Sequence, residues 1–238
     1  VSFPATHLSL FGRIRSTDVA TRTRARDALA SVYWQPIYTH VRLTHRLDPA
    51  DVEDLVQGFF AEALRRDLFA RFDPERGRFR TYLRTCVDSY VANVFEADRR
   101  QKRGGRVTLL SLEAMDVERR LTTADCTGDA DATFHREWVR AVIAAALARL
   151  RADYLARGRE VHLRLFECYD IEPTAAHCRP TYGELARRFE VSPTQVTNWL
   201  AATRRDFREA ALATLRDLSA TDDELRADVR SLLGVDLS

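Results

Sequence analysis

Every regular apolar pattern in this chain has the period of a helix, which fixes the class of fold it can adopt. The clearest case begins at Asp48, which stands where a helix cap belongs, with Pro49 at the first helical position. Asp51, Glu53 and Asp54 put negative charge at the positive end of the helix dipole. Val52, Leu55, Val56, Phe59, Phe60, Ala63 and Leu64 then form one broad apolar face, and Glu53, Asp54, Gln57 and Glu62 are expected on the opposite, solvated side. Upstream, Ala25, Leu29, Tyr33, Ile37 and Val41 are spaced by four, and Pro36 within them is expected to kink or divide that helix. Residues 1–22 read as a loosely ordered lead-in whose Phe3, Leu8, Leu10 and Phe11 dock on the next domain.

Residues 73–106 combine aromatics with cations. A Pro/Gly turn carrying Arg76 and Arg78 precedes a helix with Phe79, Tyr82, Tyr90 and Phe95, and the segment ends in a basic run from Arg99 to Arg106. Such a mixture suits a surface on which bases stack and arginines neutralise phosphates. It equally suits an amphipathic helix whose aromatics are core and whose basic end is solvated. Leu83, Val87, Tyr90, Val91 and Val94 supply the inward stripe, with Tyr82, Ser89 and Asn93 partly outside it.

Composition narrows the choice of partner only locally. The 238 residues are 45% hydrophobic and 30% charged with a net charge of +2, so any nucleic-acid contact must come from clusters rather than a global field. Lys102 is the only lysine, an arginine bias that discounts arginine counting by itself. Cys86, Cys126, Cys168 and Cys178 show no CxxC spacing, and His177 beside Cys178 is read as a loop coincidence, so no metal and no cofactor is assigned. No signal peptide and no membrane-spanning run is read, which makes the reducing cytoplasm the expected compartment.

Periodicity fades over residues 106–133, a linker in which Leu109, Leu110 and Leu112 form a short docking element. Helical spacing resumes with Trp138, Val142, Leu147, Leu150 and Tyr154, and a short helix follows over Glu160 to Tyr169. Thr181 to Arg208 then reads as a helix-turn-helix: TYGELARRF, a turn EVS, and a second helix opening at Pro193 behind the cap Ser192. Leu185, Ala186, Phe189, Val191, Val196 and Trp199 are its expected core, and Glu190 stands where glycine is commoner. Thr194, Gln195, Thr197, Asn198 and Ala201 make the exposed face for base edges, with Arg204, Arg205 and Arg208 behind them for phosphates. An αα-hairpin without DNA contact is the alternative. In the tail, Thr221 and Glu224 form a capping box ahead of Leu225, Val229, Leu232 and Leu233.

The order of parts resembles the extracytoplasmic-function (ECF) class of bacterial RNA polymerase sigma factors. The resemblance rests on DVEDLVQGFF, on FRTYLRTCVDSYVANVF ending in DRRQKR, and on the helix-turn-helix, and covers roughly residues 24–215. FPAT, YWQPIY and DPERGRFR are similar to a subgroup from GC-rich genomes. It implies an all-α fold of two helical domains joined by a linker, the second a helix-turn-helix DNA-binding domain. The implied order is a lead-in over 1–23, region 2 over 24–105, the linker over 106–133, region 4 over 134–215 and a helical tail over 216–238.

It also implies roles. Glu53, Asp54, Leu55 and Gln57 become contacts to core RNA polymerase. Arg76, Arg78, Phe79, Tyr82, Ser89, Asn93, Arg99, Arg100, Lys102 and Arg103 become contacts to promoter DNA, duplex and melted, at the minus-ten element. Ser192, Thr194, Gln195, Thr197, Asn198, Arg204 and Arg205 become contacts at the minus-thirty-five element. The linker is implied to thread toward the RNA exit path, and an anti-sigma factor is a further candidate partner. Residues 151–180 exceed the usual connection, and the tail helix is additional, expected to pack on the C-terminal domain and restrain DNA binding. A ligand-sensing or dimerising helix-turn-helix repressor or activator is the second reading. A nuclease using Asp51, Glu53 and Asp54 is the third, disfavoured because the dipole explains those acids and no HExxH, P-loop or GxGxxG is present.

Overall fold

A computed structural model describes residues 10–100, 111–123, 130–172 and 179–234, excluding the side chains of 98–100, 122 and 123. Among these residues all regular structure is helical. The chain forms two compact units, one of residues 1–142 with 215–238 and one of residues 143–214.

The first unit is built around α2 (Val19–His45), whose neighbours are α1 (Leu10–Ile14), α3 (Pro49–Arg65), α4 (Phe79–Arg100) and α5 (Leu112–Thr123). Asp18 caps α2 by accepting the Thr21 N–H at 2.8 Å, and Arg46, in the left-handed region at φ 53°, closes it. Of the two outcomes expected at Pro36, a kink or a division, division does not occur: α2 runs through it. A helix-interior proline costs about 3 kcal/mol, and here Leu29, Val32, Tyr33, Ile37, Tyr38 and Val41 are buried on either side of it. That burial, roughly 1.5–3 kcal/mol per large apolar side chain, offsets the cost.

Between α3 and α4 the chain makes two 3-10 turns, Leu68–Arg71 and Pro74–Arg76. Arg15 pins them by donating to the carbonyls of Phe72 (2.6 Å) and Ala70 (3.2 Å). Phe79 follows, fully buried, with the rings of Phe11, Phe72 and Tyr33 centred 4.7, 5.1 and 5.4 Å away. The lead-in thus contributes Leu10, Phe11 and Ile14 to the core, while Phe3 and Leu8 lie outside the described residues.

Part of the expected linker is the helix α5, which packs on α2 and α3. Ala114 and Val117 are its buried side chains, whereas Leu112 is 80% exposed and Leu109 and Leu110 lie outside the described residues. Of the expected docking residues, Leu112 thus does not dock, and among the described residues the docking side chains are Ala114 and Val117. Polar contacts complete it: Glu118 accepts from Tyr38 (2.9 Å) and Arg42 (2.8 Å), and Glu53 accepts the Ser111 N–H (2.9 Å).

α6 (Ala130–Ala156) belongs to the first unit through Val142, with Phe134 and Trp138 buried. The tail helix α10 (Asp222–Leu233) also belongs to this unit, which corrects the expectation that it packs on the C-terminal domain. The reason is chemical: Asp228 of α10 meets Arg80 of α4 in a buried two-pronged ion pair, 2.7 and 2.9 Å. Thr221 caps α10 through the Glu224 N–H at 3.2 Å, and the Glu224 carboxylate reaches back to Ala220 N–H at 3.1 Å.

The second unit comprises α6 from Ile143, α7 (Glu160–Phe166), a π-helical turn Glu167–Ile171, α8 (Tyr182–Arg188) and α9 (Pro193–Leu218) as far as Thr214. Leu147, Leu150, Tyr154, Leu163, Leu165, Phe166, Leu185, Val196 and Leu200 form its core. Tyr154 donates to Asp206 at 2.8 Å, linking α6 and α9 within the unit. Among the described residues no helix is long and apolar enough to cross a membrane, and no three His, Cys, Asp or Glu side chains cluster to hold a metal.

Candidate functional site

The polar side chains of α3 do not share one face. Asp54 and Gln57 are exposed, with Asp51 one turn earlier, and the three-residue steps align them along one side of the helix. Leu55 is buried at the edge of the core with 9% exposure. Glu53 was expected on the solvated face and is instead 3% exposed. Its carboxylate is committed to the Ser111 N–H and to the Gln57 amide at 3.1 Å, so it anchors α5 rather than facing a partner. Position 53 follows Val52 into the core side of the helix, and a buried acid of this kind is legible only once its backbone donor is known.

On α4 the aromatics divide. Phe79, expected to meet a base, lies at the centre of an aromatic cluster with no exposed surface, so it is core. Tyr82 is half-buried, donates to the Leu68 carbonyl at 2.9 Å, and burial followed by the neighbouring Cys86 thiol pushes its hydroxyl up to about 12. Tyr90 packs on Phe59, and Phe95 on His45. Ser89 and Asn93 are exposed one turn apart, and Tyr82 lies two turns before Ser89 on the same side. Arg76 and Arg78 are exposed at the helix entrance, where Asp73 accepts the Glu75 N–H at 3.1 Å and fixes the turn. Arg99, Arg100, Lys102 and Arg103 lie outside the described residues or side chains.

The α8–α9 pair is fixed by two reciprocal caps. Thr181 accepts the Glu184 N–H at 3.2 Å while Glu184 accepts the Thr181 N–H at 2.7 Å, which holds the Glu184 carboxyl below its usual range. Ser192 accepts the Gln195 N–H at 3.2 Å, and the Gln195 side-chain oxygen accepts the Ser192 N–H at 2.8 Å. Glu190 takes the left-handed conformation (φ 54°), letting Val191 N–H reach the Ala186 carbonyl at 2.9 Å and end α8. Leu185, Ala186 and Val196 are buried, while Phe189, Val191 and Trp199 are partly so, with Trp199 stacked on His162.

Thr194, Thr197 and Asn198 are exposed on α9, with Ser192 at its start. Gln195 is exposed too, yet its amide oxygen is spent on the cap. Arg204 departs from the expected solvent-facing row: it pairs with Asp170 at 2.9 and 3.0 Å and lies 5.3 Å from the Tyr169 ring centroid. Arg205 and Arg208 are exposed. Asp170 comes from the 151–180 segment, so the residue that neutralises Arg204 sits in the part of the chain that departs from the resembled pattern.

Two features escaped the sequence reading. Arg80 is 9% exposed, held by Asp228 with its guanidinium carbon 3.9 Å from the Trp138 ring centroid. Burial is the largest single influence and opposes its charge, but the Asp228 hydrogen bonds together with the charge interactions of Tyr33, Asp228 and Glu224 outweigh it, so its pKa stands above the usual range. Arg84, one turn on, pairs with Asp131 and lies over Phe134. The available signal was a pair of arginines at four-residue spacing beside the apolar stripe of α4, opposite acids near the start of α6 and in the tail.

Residues 34–101 match the family model for Sigma-70 region 2. No curated protein and no solved structure matches the chain at a significant level. The match spans the second half of α2, all of α3 and α4, and both 3-10 turns, the same elements that present Asp54, Gln57, Ser89 and Asn93. The chain, helical in all the regular structure of its described residues, carries a sigma-70 region-2 domain, a non-catalytic module of bacterial transcription.

Proposed function

We propose that the chain is a promoter-specificity subunit of bacterial RNA polymerase of the ECF class, acting in the cytoplasm on core polymerase and promoter DNA. The observation that carries the reading is the coincidence of the region-2 match with the two exposed polar rows of α3 and α4. On α3, Asp51, Asp54 and Gln57 offer an acid and amide stripe to a basic helical surface of the core enzyme, with Leu55 at its apolar margin. On α4, Tyr82, Ser89 and Asn93 line one side. The Tyr82 and Ser89 hydroxyls, donating to the Leu68 and Thr85 carbonyls, keep acceptor capacity, and the Asn93 amide both donates and accepts, which suits the edges of an unpaired base. Extruding that base costs a few kcal/mol of stacking and pairing, which such contacts offset.

Arg76 and Arg78 at the entrance to α4 are suited to the adjoining phosphates, as are the more distal Arg99, Arg100, Lys102 and Arg103. In the second unit, α8 and α9 act as a helix-turn-helix in this reading. Thr194, Thr197 and Asn198 meet base edges, Ser192 and Gln195 fix the helix start, and Arg205 and Arg208 hold phosphates. An anti-sigma factor is a further candidate partner in this reading.

Asn93 gives the sharpest test because it is exposed on α4 and carries none of the core packing. Asn93→Ala is expected to leave closed promoter complexes intact and reduce permanganate-reactive thymines in the opened region several-fold, consistent with one lost polar contact of about 1 kcal/mol or more. Unchanged permanganate reactivity would contradict the role given to this face.

A further inference from the structure

The basic edge of α4 is covered from within the same unit. Arg80 and Arg84 stand four residues apart, and each is neutralised by an aspartate from downstream, Asp228 of α10 and Asp131 of α6. On α10, Glu224 and Asp228 are 6% and 4% exposed. The first turn of α10 carries Asp222, Asp223 and Glu224, and Asp228 lies one turn beyond Glu224. An acidic helix is therefore fastened to Arg80 at the start of α4.

The way α10 is held distinguishes a strap from a permanent staple. Val229 is its one fully buried apolar side chain among the described residues, with Leu225, Leu232 and Leu233 only partly covered. A helix of this length is marginal without tertiary support, and a buried ion pair contributes little net stability against the desolvation of its two charges. Loss of Asp228 alone would strand the Arg80 cation against Trp138, a costly state unless another anion replaces the carboxylate. The planar guanidinium fork donates to carboxylate and phosphate oxygens in the same two-pronged geometry.

We propose that α10 is an autoinhibitory strap: Asp228 occupies, in cis, the anion position on Arg80 that a phosphate of single-stranded promoter DNA takes when region 2 engages it. The inference rests on the nucleic-acid reading of region 2 above. Docking of α10 and binding of DNA by this edge are then mutually exclusive, and release of α10 exposes Arg80.

The test uses the full chain, free and bound to core polymerase, with fluorescein-labelled mixed-sequence single-stranded DNA as the probe. Hydrogen exchange across residues 222–233 of the wild type is expected to accelerate when DNA is saturating. Asp228→Asn is expected to tighten DNA binding by about tenfold, as removal of a competing closed state does, and Arg80→Ala in the Asp228→Asn background is expected to abolish that gain. If DNA binds while α10 keeps its protection and Asp228→Asn binds no tighter, the strap alone is overturned. If neither the chain nor its complex with core binds DNA, and the chain does not associate with core, the functional reading fails and the strap with it.

Discussion

Gly58 records how closely α3 and α4 approach. A methyl group built at this position meets the Tyr90 hydroxyl inside van der Waals contact, and Tyr90 is itself packed on Phe59. Gly58→Ala is therefore expected to destabilise the first unit by about 1–3 kcal/mol in urea unfolding, the cost of overpacking a fitted contact. Adding Tyr90→Phe, which removes the clashing oxygen, should recover most of the loss. An additive pair of losses would show that the contact is not the cause. Glu224 gives a residue-scale test of a different kind. Burial first, then the neighbouring Asp228, raises its carboxyl above the usual range, against the lowering effect of the Ala220 N–H and Arg80. A raised folded-state pKa means a contribution fully present below the unfolded value and lost as pH rises through the folded one. Glu224→Gln keeps an acceptor for Ala220 and removes the titration. The stability of the variant relative to wild type should accordingly rise between acid and neutral pH, and a difference independent of pH would contradict the assignment.

At the scale of elements, helical periodicity was enough to locate α3, α4, α8, α9 and α10, because each buries one stripe, and α8, α9 and α10 are also capped by local side chains. It was insufficient where a tertiary partner decides. Pro36 is tolerated because the core covers α2 on both sides of it. Glu53 turns inward because the backbone at Ser111 supplies a donor, and Phe79 is core because Phe11 and Phe72 close over it from two other elements. Helix α5 was missed as a helix for the same reason: only Ala114 and Val117 are deeply buried, too few to print a period, while Glu118 does much of the docking through Tyr38 and Arg42. That arrangement makes a prediction about the element. Glu53→Ala leaves the Ser111 N–H without its acceptor, and hydrogen exchange across residues 112–121 should quicken by about fivefold or more, as expected for about 1 kcal/mol of lost docking. Unaltered exchange there would mean that Glu118 alone holds α5.

For the whole molecule, chain order and spatial membership differ. Residues 215–238 complete the unit that begins near the N-terminus, so the 143–214 unit is joined to it by two helices, α6 and α9. Sequence spacing carries no such information, because the pairing of Arg80 with Asp228 spans 148 positions and neither residue is unusual alone. What the sequence did convey is the segment that carries the family match: the acid and amide row of α3 and the turn into α4 fall inside the residues that match Sigma-70 region 2. The account stands or falls on what that segment binds. Immobilised core RNA polymerase, challenged with the full chain and with Asp54→Ala combined with Gln57→Ala, measures it directly. The account predicts retention of the wild type and a loss of affinity of about tenfold or more in the double variant, with its helical content unchanged. Failure of the wild type to bind core, or equal retention of both proteins, would contradict it.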